Sequence, residues 1–393
     1  MDPILAIILI LVVAKGLGEI VERVGYPPMI GEIVAGILLG PSILNLVILD
    51  PTLEAFAAAG VIALLFISGA EMNPKAFARA RDVSVLTGAA GVAVPLFSGI
   101  GVGYLLGLNL LEAIFLGIIL SITSIGVAVR TLIDLKKLNT LVGSTIVGAA
   151  VIDDILGIVL LGLLSSIALG EAAGMAALAL PIALSAFFLL FAFTVGKRLV
   201  TWAFLRSRRM RTHEMPYTAA IIIAFAAAYA TEAIGLHYAI GAFIAGLMLG
   251  DQIRKDQGLF DGLVDFAFGF FVTFFFVSIG LLVRIEPETI LSPLLVPLIA
   301  VALAGKTAGG FLGSLPYLKD RMQALIVGFG LTSRGELALV VAQTSLAAGI
   351  ISVGLFSVVT LMVIATVFLA PILVKWGFSR MEATRSLTPA ETE

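Results

Sequence analysis

The chain has 393 residues, 60% of them apolar and 13% charged, with a formal net charge of −2 and no cysteine; its mean hydropathy is +1.14. A water-soluble domain is about 25% charged, so this composition excludes a soluble enzyme, and the near-zero net charge excludes nucleic-acid binding. The absence of cysteine excludes disulfides, thiol nucleophiles and thiolate metal sites. A helix needs about 20 apolar residues to cross the hydrocarbon, which leaves room for roughly a dozen spans in an all-α polytopic membrane protein.

In chain order, apolar runs between polar, Pro or Gly breaks predict thirteen transmembrane helices. They lie near 4–22, 28–48, 54–72, 83–107, 111–134, 141–166, 173–205, 216–234, 236–250, 259–283, 289–314, 321–348 and 351–378. Met1-Asp2-Pro3 lacks the basic start of a cleavable signal, so the first run is expected to stay as a span. The ninth run is short and is divided from the eighth at Gly235.

With the N-terminus outside, the inner loops collect Arg23; Lys75, Arg79 and Arg81; Lys136 and Lys137; and Lys197, Arg198, Arg206, Arg208, Arg209 and Arg211. Arg254, Lys255, Lys319, Arg321, Lys375, Arg380 and Arg385 join them, and only Arg284 falls in an outer loop. This bias fits the positive-inside rule. It places the short tail 379–393 in the cytoplasm, and the chain is expected in the cell (plasma) membrane. Lys15, Arg130, Lys306 and Arg334 are left inside spans.

Thr123-Ser124-Ile125-Gly126 in the fifth segment is echoed by Thr332-Ser333-Arg334-Gly335 in the twelfth. The two lie seven spans apart, so their helices run in opposite directions. That is the pattern of two inverted-topology six-helix repeats around a linker span. Hydroxyl residues beside glycine at mid-membrane further predict two crossing, discontinuous helices. Their breaks, at Thr123 and Ser124 and at Thr332 and Ser333, would offer carbonyls and helix ends to an ion.

Asp153 and Asp154 stand in the middle of the sixth segment. An ionised side chain at mid-bilayer costs about 2.5–3.5 kcal/mol, so the pair costs roughly 5–7 kcal/mol and is retained for function. Successive helical residues point about 100° apart; one carboxylate is expected to face an aqueous cavity and the other a neighbouring helix. Lys306, flanked by Gly305 and Thr307, needs an anionic partner, for which Asp153 is favoured. Arg334 and Glu336 are two residues apart and so on different faces; Glu71 is a possible partner for Arg334. Arg130 and Asp134 read as an i,i+4 pair at an inner helix end. Lys15 and Glu32 receive no assignment, and His213 and His237 read as loop histidines.

Oxygen ligands and one free carboxylate suit a small hard cation, and the same carboxylate binds protons. Burial disfavours the charged form of acid and amine alike. A proton and a cation then compete for one site, which with alternating access is sufficient for exchange.

The chain resembles the monovalent cation–proton antiporters, especially the bacterial and archaeal two-aspartate sodium/proton exchangers. The resemblance rests on Gly148 to Gly157 with its Asp-Asp pair, Thr123-Ser124, Gly305-Lys306 and Arg334-Gly335-Glu336. The run Gly31-Glu32 to Gly40-Pro41 and the run Leu65-Phe66 through Glu71 add to it. It implies a homodimer whose dimerisation domain comprises 1–72 and 216–283. An ion-transporting core would comprise 83–166 and 289–378, with 173–205 as linker helix. By the same resemblance Asp154, with Thr123, would hold the transported Na⁺ and Asp153 would pair with Lys306. Arg334, Glu336 and Glu71 would give charge support, and no cofactor is expected. Exchange of more than one proton per sodium, hence electrogenic, is the expected mode.

A K⁺/H⁺ antiporter of the same superfamily is the nearest alternative. A sodium-coupled organic anion symporter shares the repeat but has no use for Lys306 beside a double acid. An intramembrane aspartyl protease needs two Asp on different helices, which adjacent residues on one helix do not supply. No filter-like repeat supports a channel.

Overall fold

The computed structural model describes residues 2–168, 175–284 and 287–387. Its helices are α1 (Pro3–Arg23), α2 (Met29–Leu39), α3 (Pro51–Glu71), α4 (Pro74–Arg79), α5 (Arg81–Leu105), α6 (Leu110–Ser121), α7 (Ile125–Asp134), α8 (Leu141–Ala168), α9 (Met175–Phe191) and α10 (Lys197–Ser207). They continue as α11 (Met215–Ala233), α12 (Tyr238–Ile253), α13 (Gln257–Phe266), α14 (Val272–Leu281), α15 (Pro287–Ile290), α16 (Leu295–Leu318), α17 (Arg321–Gly330), α18 (Glu336–Ala347) and α19 (Val353–Leu387). Short π-helical stretches, Ala192–Gly196 and Ala267–Phe271, join α9 to α10 and α13 to α14. There is no strand among the described residues, and nine stretches there are long and apolar enough to cross a membrane. The chain is an all-α, polytopic membrane protein.

Helix starts follow from short acidic or amide side chains placed before apolar runs. Asp2 accepts from the amides of Ile4 and Leu5 ahead of Pro3, and Asp50 accepts from Leu53 ahead of Pro51. Asn109 and Glu112 form a reciprocal capping box for α6, and Asp320 caps α17 through Met322 and Gln323. Each cap satisfies amides that have no partner within the helix. Gly235, with φ of 81°, ends α11 in the left-handed region and divides it from α12, which is the break expected there.

Three boundaries depart from the sequence reading. The segment expected over 28–48 is helical only over Met29–Leu39; Gly40-Pro41 ends it, and residues 44–47 fold back to bond Leu38, Leu39 and Gly40 carbonyls. Proline has no amide to continue a helix. The fifth and twelfth segments are each broken in two, as expected. The segment expected over 289–314 is centred later, as Leu295–Leu318. The tail expected from residue 379 is helical to Leu387 as part of α19; residues 388–393 lie outside the described residues, as do 173 and 174 of the linker segment.

The chain divides into two compact units, Met1–Lys75 with Ile158–Ile285, and Ala76–Gly157 with Glu286–Glu393. The first unit packs α2 against α1 and α14, and α3 against α12 and α14. In hydrocarbon there is no hydrophobic force between helices, so close backbone approach through small residues holds them. A Cβ on Gly36 of α2 would lie 2.9 Å from Gly280 Cα of α14. The Phe-rich run 266–276 is mostly packed here: Phe274, Phe275 and Phe276 are buried and Phe266 is exposed.

The second unit packs α5 against α6 and α16, and α17 against α16 and α19. Its α5–α16 contact is again glycine on glycine, a Cβ on Gly309 falling 3.0 Å from Gly91 Cα. The first part of α8 lies against α5 and α17, where Gly88 abuts Ile152 and Gly330 abuts Ile146.

Candidate functional site

The second unit contains both helix breaks. Between α6 and α7, Ile122-Thr123-Ser124 leaves the helical conformation; between α17 and α18, Leu331 to Gly335 does the same. The breaks bind one another. The Ser124 amide donates to the Ser333 carbonyl at 2.8 Å, and Ser333 Oγ donates to the Ser124 carbonyl at 3.4 Å. Ser124 Oγ also caps α7 by accepting from Val127 N. A Cβ on Gly335 would collide with the Ser124 side chain, so the absence of a side chain there is what lets the two segments meet.

Asp153 and Lys306 lie beside this crossing. Lys306 Nζ donates to Asp153 Oδ2, and both side chains are fully buried. The Thr123 hydroxyl donates to the same oxygen at 2.6 Å, with the Leu331 carbonyl as a second acceptor at 3.2 Å. The break in one segment is thereby tied both to α8 and to the break in the other. Asp153 Oδ1 is buried and has no hydrogen-bond partner; Gly91 of α5 faces it, a Cβ there being 3.7 Å away.

Asp154 is also buried, one residue further along α8, and its charge acts on the Lys306 ammonium. Neither carboxylate is turned to lipid.

Arg334 is fully buried, and among the described residues its guanidinium is held by backbone oxygens. Its Nη1 donates to the Thr332 carbonyl at 2.8 Å, and its Nη2 to the carbonyls of Leu120 at 2.7 Å and Ala302 at 3.0 Å. Leu120 is in the last turn of α6, where carbonyls lack helical partners and the helix dipole is negative. The guanidinium therefore pins the ends of both breaks to α16, and its positive charge also reaches Asp153.

The hydroxyls of the second break also donate hydrogen bonds: Thr332 Oγ1 to the Phe329 carbonyl at 2.7 Å and Ser333 Oγ to the Ser124 carbonyl of the opposite break. Glu71 falls in the first unit, where Arg254 is the charge acting on it. The Arg334 guanidinium is in turn bonded to the carbonyl oxygens of its own unit. Glu336 begins α18, but its side chain lies outside the described residues. Arg130 pairs with Asp134 at 3.0 Å but is buried rather than reaching to the surface.

Sequence reasoning missed the carbonyls of Leu120, Ala302 and Leu331, because backbone acceptors leave no residue-type signal. It also left unassigned Lys15 and Glu32, which form an ion pair at 2.8 Å in the first unit. His237, read as a solvated loop residue, caps α12: its Nδ1 accepts from Ala239 N at 3.3 Å.

The chain is similar in sequence and in fold to known proteins. The sequence profile of the family described as sodium/hydrogen exchanger, transmembrane, matches residues 7–379. The Na(+)/H(+)-K(+) antiporter GerN of Bacillus cereus is 30% identical over 373 residues, 95% of each chain. A Na(+)/H(+) antiporter of Enterococcus hirae is 30% identical over 382 residues, 96% of this chain and 99% of that one. The fold is similar to that of the sodium proton antiporter MjNhaP1 of Methanocaldococcus jannaschii, with a TM-score of 0.75 at 19% identity over the whole of both chains. With the family profile spanning most of its length and full-length relatives at 30% identity, the chain belongs to the sodium/hydrogen exchanger family.

Proposed function

We propose that the protein exchanges Na⁺, and Li⁺, for protons across the membrane by alternating access, with cation and proton competing for Asp154. The observation that carries this reading is the Asp153–Lys306 pair joined through Thr123 to the crossing of two broken segments, with Asp154 on the next residue. A proton or a sodium ion neutralises Asp154, and either one changes the balance of charge around Lys306. Thr123 and the carbonyls released at the breaks supply neutral oxygen for a small hard cation. Because one carboxylate serves both ions, loading one expels the other, and no separate coupling device is required.

Asp153 and Lys306 act as a coupled ion pair. Each is costly to bury without the other, so protonation of Asp153 and deprotonation of Lys306 are linked events. Two proton-linked charges beside one cation site give more than one proton per sodium and hence electrogenic exchange. The segments 83–166 and 289–378 form the moving core, 1–72 and 216–283 the dimerisation domain, and 173–205 the linker, in two inverted repeats. The protein works as a homodimer in the plasma membrane, its N-terminus outside and its C-terminus in the cytoplasm.

A second reading has a specific observation behind it: GerN, 30% identical over nearly the whole chain, carries potassium in its name. Proteoliposomes holding a pH-sensitive dye, titrated with Li⁺, Na⁺ and K⁺, separate the two. Proton flux driven by Na⁺ and Li⁺ but not by K⁺ supports the first reading, and flux driven by K⁺ alone supports the second. Indifference of sodium uptake to a potassium-set voltage would refute the electrogenic stoichiometry.

A further inference from the structure

The first unit holds a second charge cluster, built on the buried Glu32, that the exchange mechanism does not use. Lys15 of α1, Glu32 of α2, Phe268 of the π-helical stretch and Thr273 of α14 converge on one point. Lys15 Nζ donates to Glu32 Oε1 at 2.8 Å and to the Phe268 carbonyl at 2.8 Å. The Thr273 hydroxyl donates to the same Glu32 oxygen at 3.2 Å, with the Phe268 carbonyl as a longer acceptor at 3.5 Å. Glu32 is 1% exposed, and its Oε2 is buried with no hydrogen-bond partner.

Three features set this cluster apart from an ordinary ion pair. First, the two partners are unequally held: the Glu32 side chain is 2% exposed and the Lys15 side chain 44%. The carboxylate is the enclosed member of the pair, and the ammonium, on its longer stem, is the partly uncovered one. Second, the oxygens on the ammonium are of the kind a monovalent cation takes, a carboxylate and a backbone carbonyl, and the Thr273 hydroxyl bonds that same carboxylate oxygen. Third, that carbonyl belongs to a π-helical stretch, an irregularity that is found frequently at functional sites.

The group now held there is an ammonium, at ordinary hydrogen-bond length. The two oxygens nearest the ammonium lie at 2.8 Å, longer than the 2.0–2.1 Å typical of magnesium and the roughly 2.3–2.6 Å of calcium. An ammonium group is close in size to a potassium ion.

We propose that Glu32, Thr273 Oγ1 and the Phe268 carbonyl form a second, non-transporting site for a potassium- or ammonium-sized monovalent cation, of which Lys15 is the tethered competitor. When Lys15 withdraws, the buried Glu32 carboxylate is left without a counter-charge, a costly state, and a diffusible cation relieves it. The unpartnered Oε2 gives the incoming ion a second carboxylate oxygen. An ion there ties α2 to the π-helical stretch without help from α1, so α1 is released from a contact it otherwise makes through Lys15.

The test is equilibrium dialysis of the purified full-length protein with radioactive Tl⁺ as the probe, at constant ionic strength in choline chloride. Lys15→Met removes the competitor and is expected to bind one Tl⁺ per chain more than Lys15→Met/Glu32→Gln does. Its apparent affinity for that ion should exceed the wild type's by about tenfold or more. K⁺ and NH₄⁺ should displace this extra ion, and Thr273→Val on the Lys15→Met background should weaken it. Where Lys15→Met does not fold, Lys15→Gln, which keeps a hydrogen-bond donor, gives the same comparison. Equal Tl⁺ stoichiometry with and without Glu32→Gln overturns the proposal. Because binding is read without transport, that result would leave the exchange reading untouched.

Discussion

Thr123 and Lys306 donate to the same oxygen of Asp153, so one carboxylate oxygen joins α16, α8 and the break between α6 and α7. The relationship fixes what a substitution does. Removing the amine strands a buried carboxylate, whereas removing both charges leaves two neutral groups that still hydrogen-bond.

Lys306→Gln is therefore expected to destabilise the protein by about 3–5 kcal/mol, as for other broken buried ion pairs. Lys306→Gln with Asp153→Asn should cost markedly less than the sum of the single changes. Thermal unfolding of the four proteins in detergent measures the coupling; additive effects would mean that the two groups do not interact.

Arg334 makes a distinct prediction because its partners are carbonyls on three elements. Lysine keeps the charge but lacks the planar fork, so Arg334→Lys should lose most of the exchange activity. It should also cost on the order of 2–4 kcal/mol of stability, given about 1.5–3 kcal/mol per hydrogen bond to a charged group. Comparing unfolding and transport in Arg334→Lys and Arg334→Gln checks this. Activity retained by the lysine variant would show that charge alone suffices.

Gly335 has φ of −138°, which any residue adopts, so its constraint is steric. Gly335→Ala should push the two breaks apart by driving a methyl group into Ser124, and exchange should fall by about tenfold or more. Adding Ser124→Gly opens that space and should restore part of the rate. A Gly335→Ala variant that Ser124→Gly makes worse, rather than better, would contradict the steric account.

His237 gives the pH dependence of stability. It lies between α11 and α12, partly covered and stacked on Tyr238, and burial pushes its pKa from 6.5 down to about 4. The unfolded chain binds the proton more readily, so this group's contribution is fully present above pH 6.5 and is lost as the pH falls towards 4. Protonation also removes the Nδ1 lone pair that accepts from Ala239 N. Unfolding temperatures between those limits should fall less steeply for His237→Asn, whose amide oxygen still caps α12, than for wild type; parallel profiles would contradict it.

What the sequence disclosed was set by which groups leave a trace in residue types. Asp153, Asp154 and Lys306 were legible because ionisable groups in hydrocarbon are too costly to be incidental. The two helix breaks were legible because Thr123-Ser124 and Thr332-Ser333 put hydroxyls beside glycine twice. The anchoring of Arg334 was not, since its partners are carbonyls that every residue carries. The union of Lys15 with Glu32 was hidden for a different reason: the residues come from different helices, and spacing along the chain says nothing about which helices touch. The span read through 28–48 ran on past Pro41 because hydropathy does not register the end of a helix within an apolar run.

Asp154→Asn tests the central claim most directly, because it removes one carboxylate while leaving the Asp153–Lys306 pair in place. Sodium-driven proton flux is measured by dye dequenching in proteoliposomes, with correct folding verified by the unfolding temperature. The account predicts a folded protein with no sodium-dependent flux; flux at the wild-type rate would contradict it.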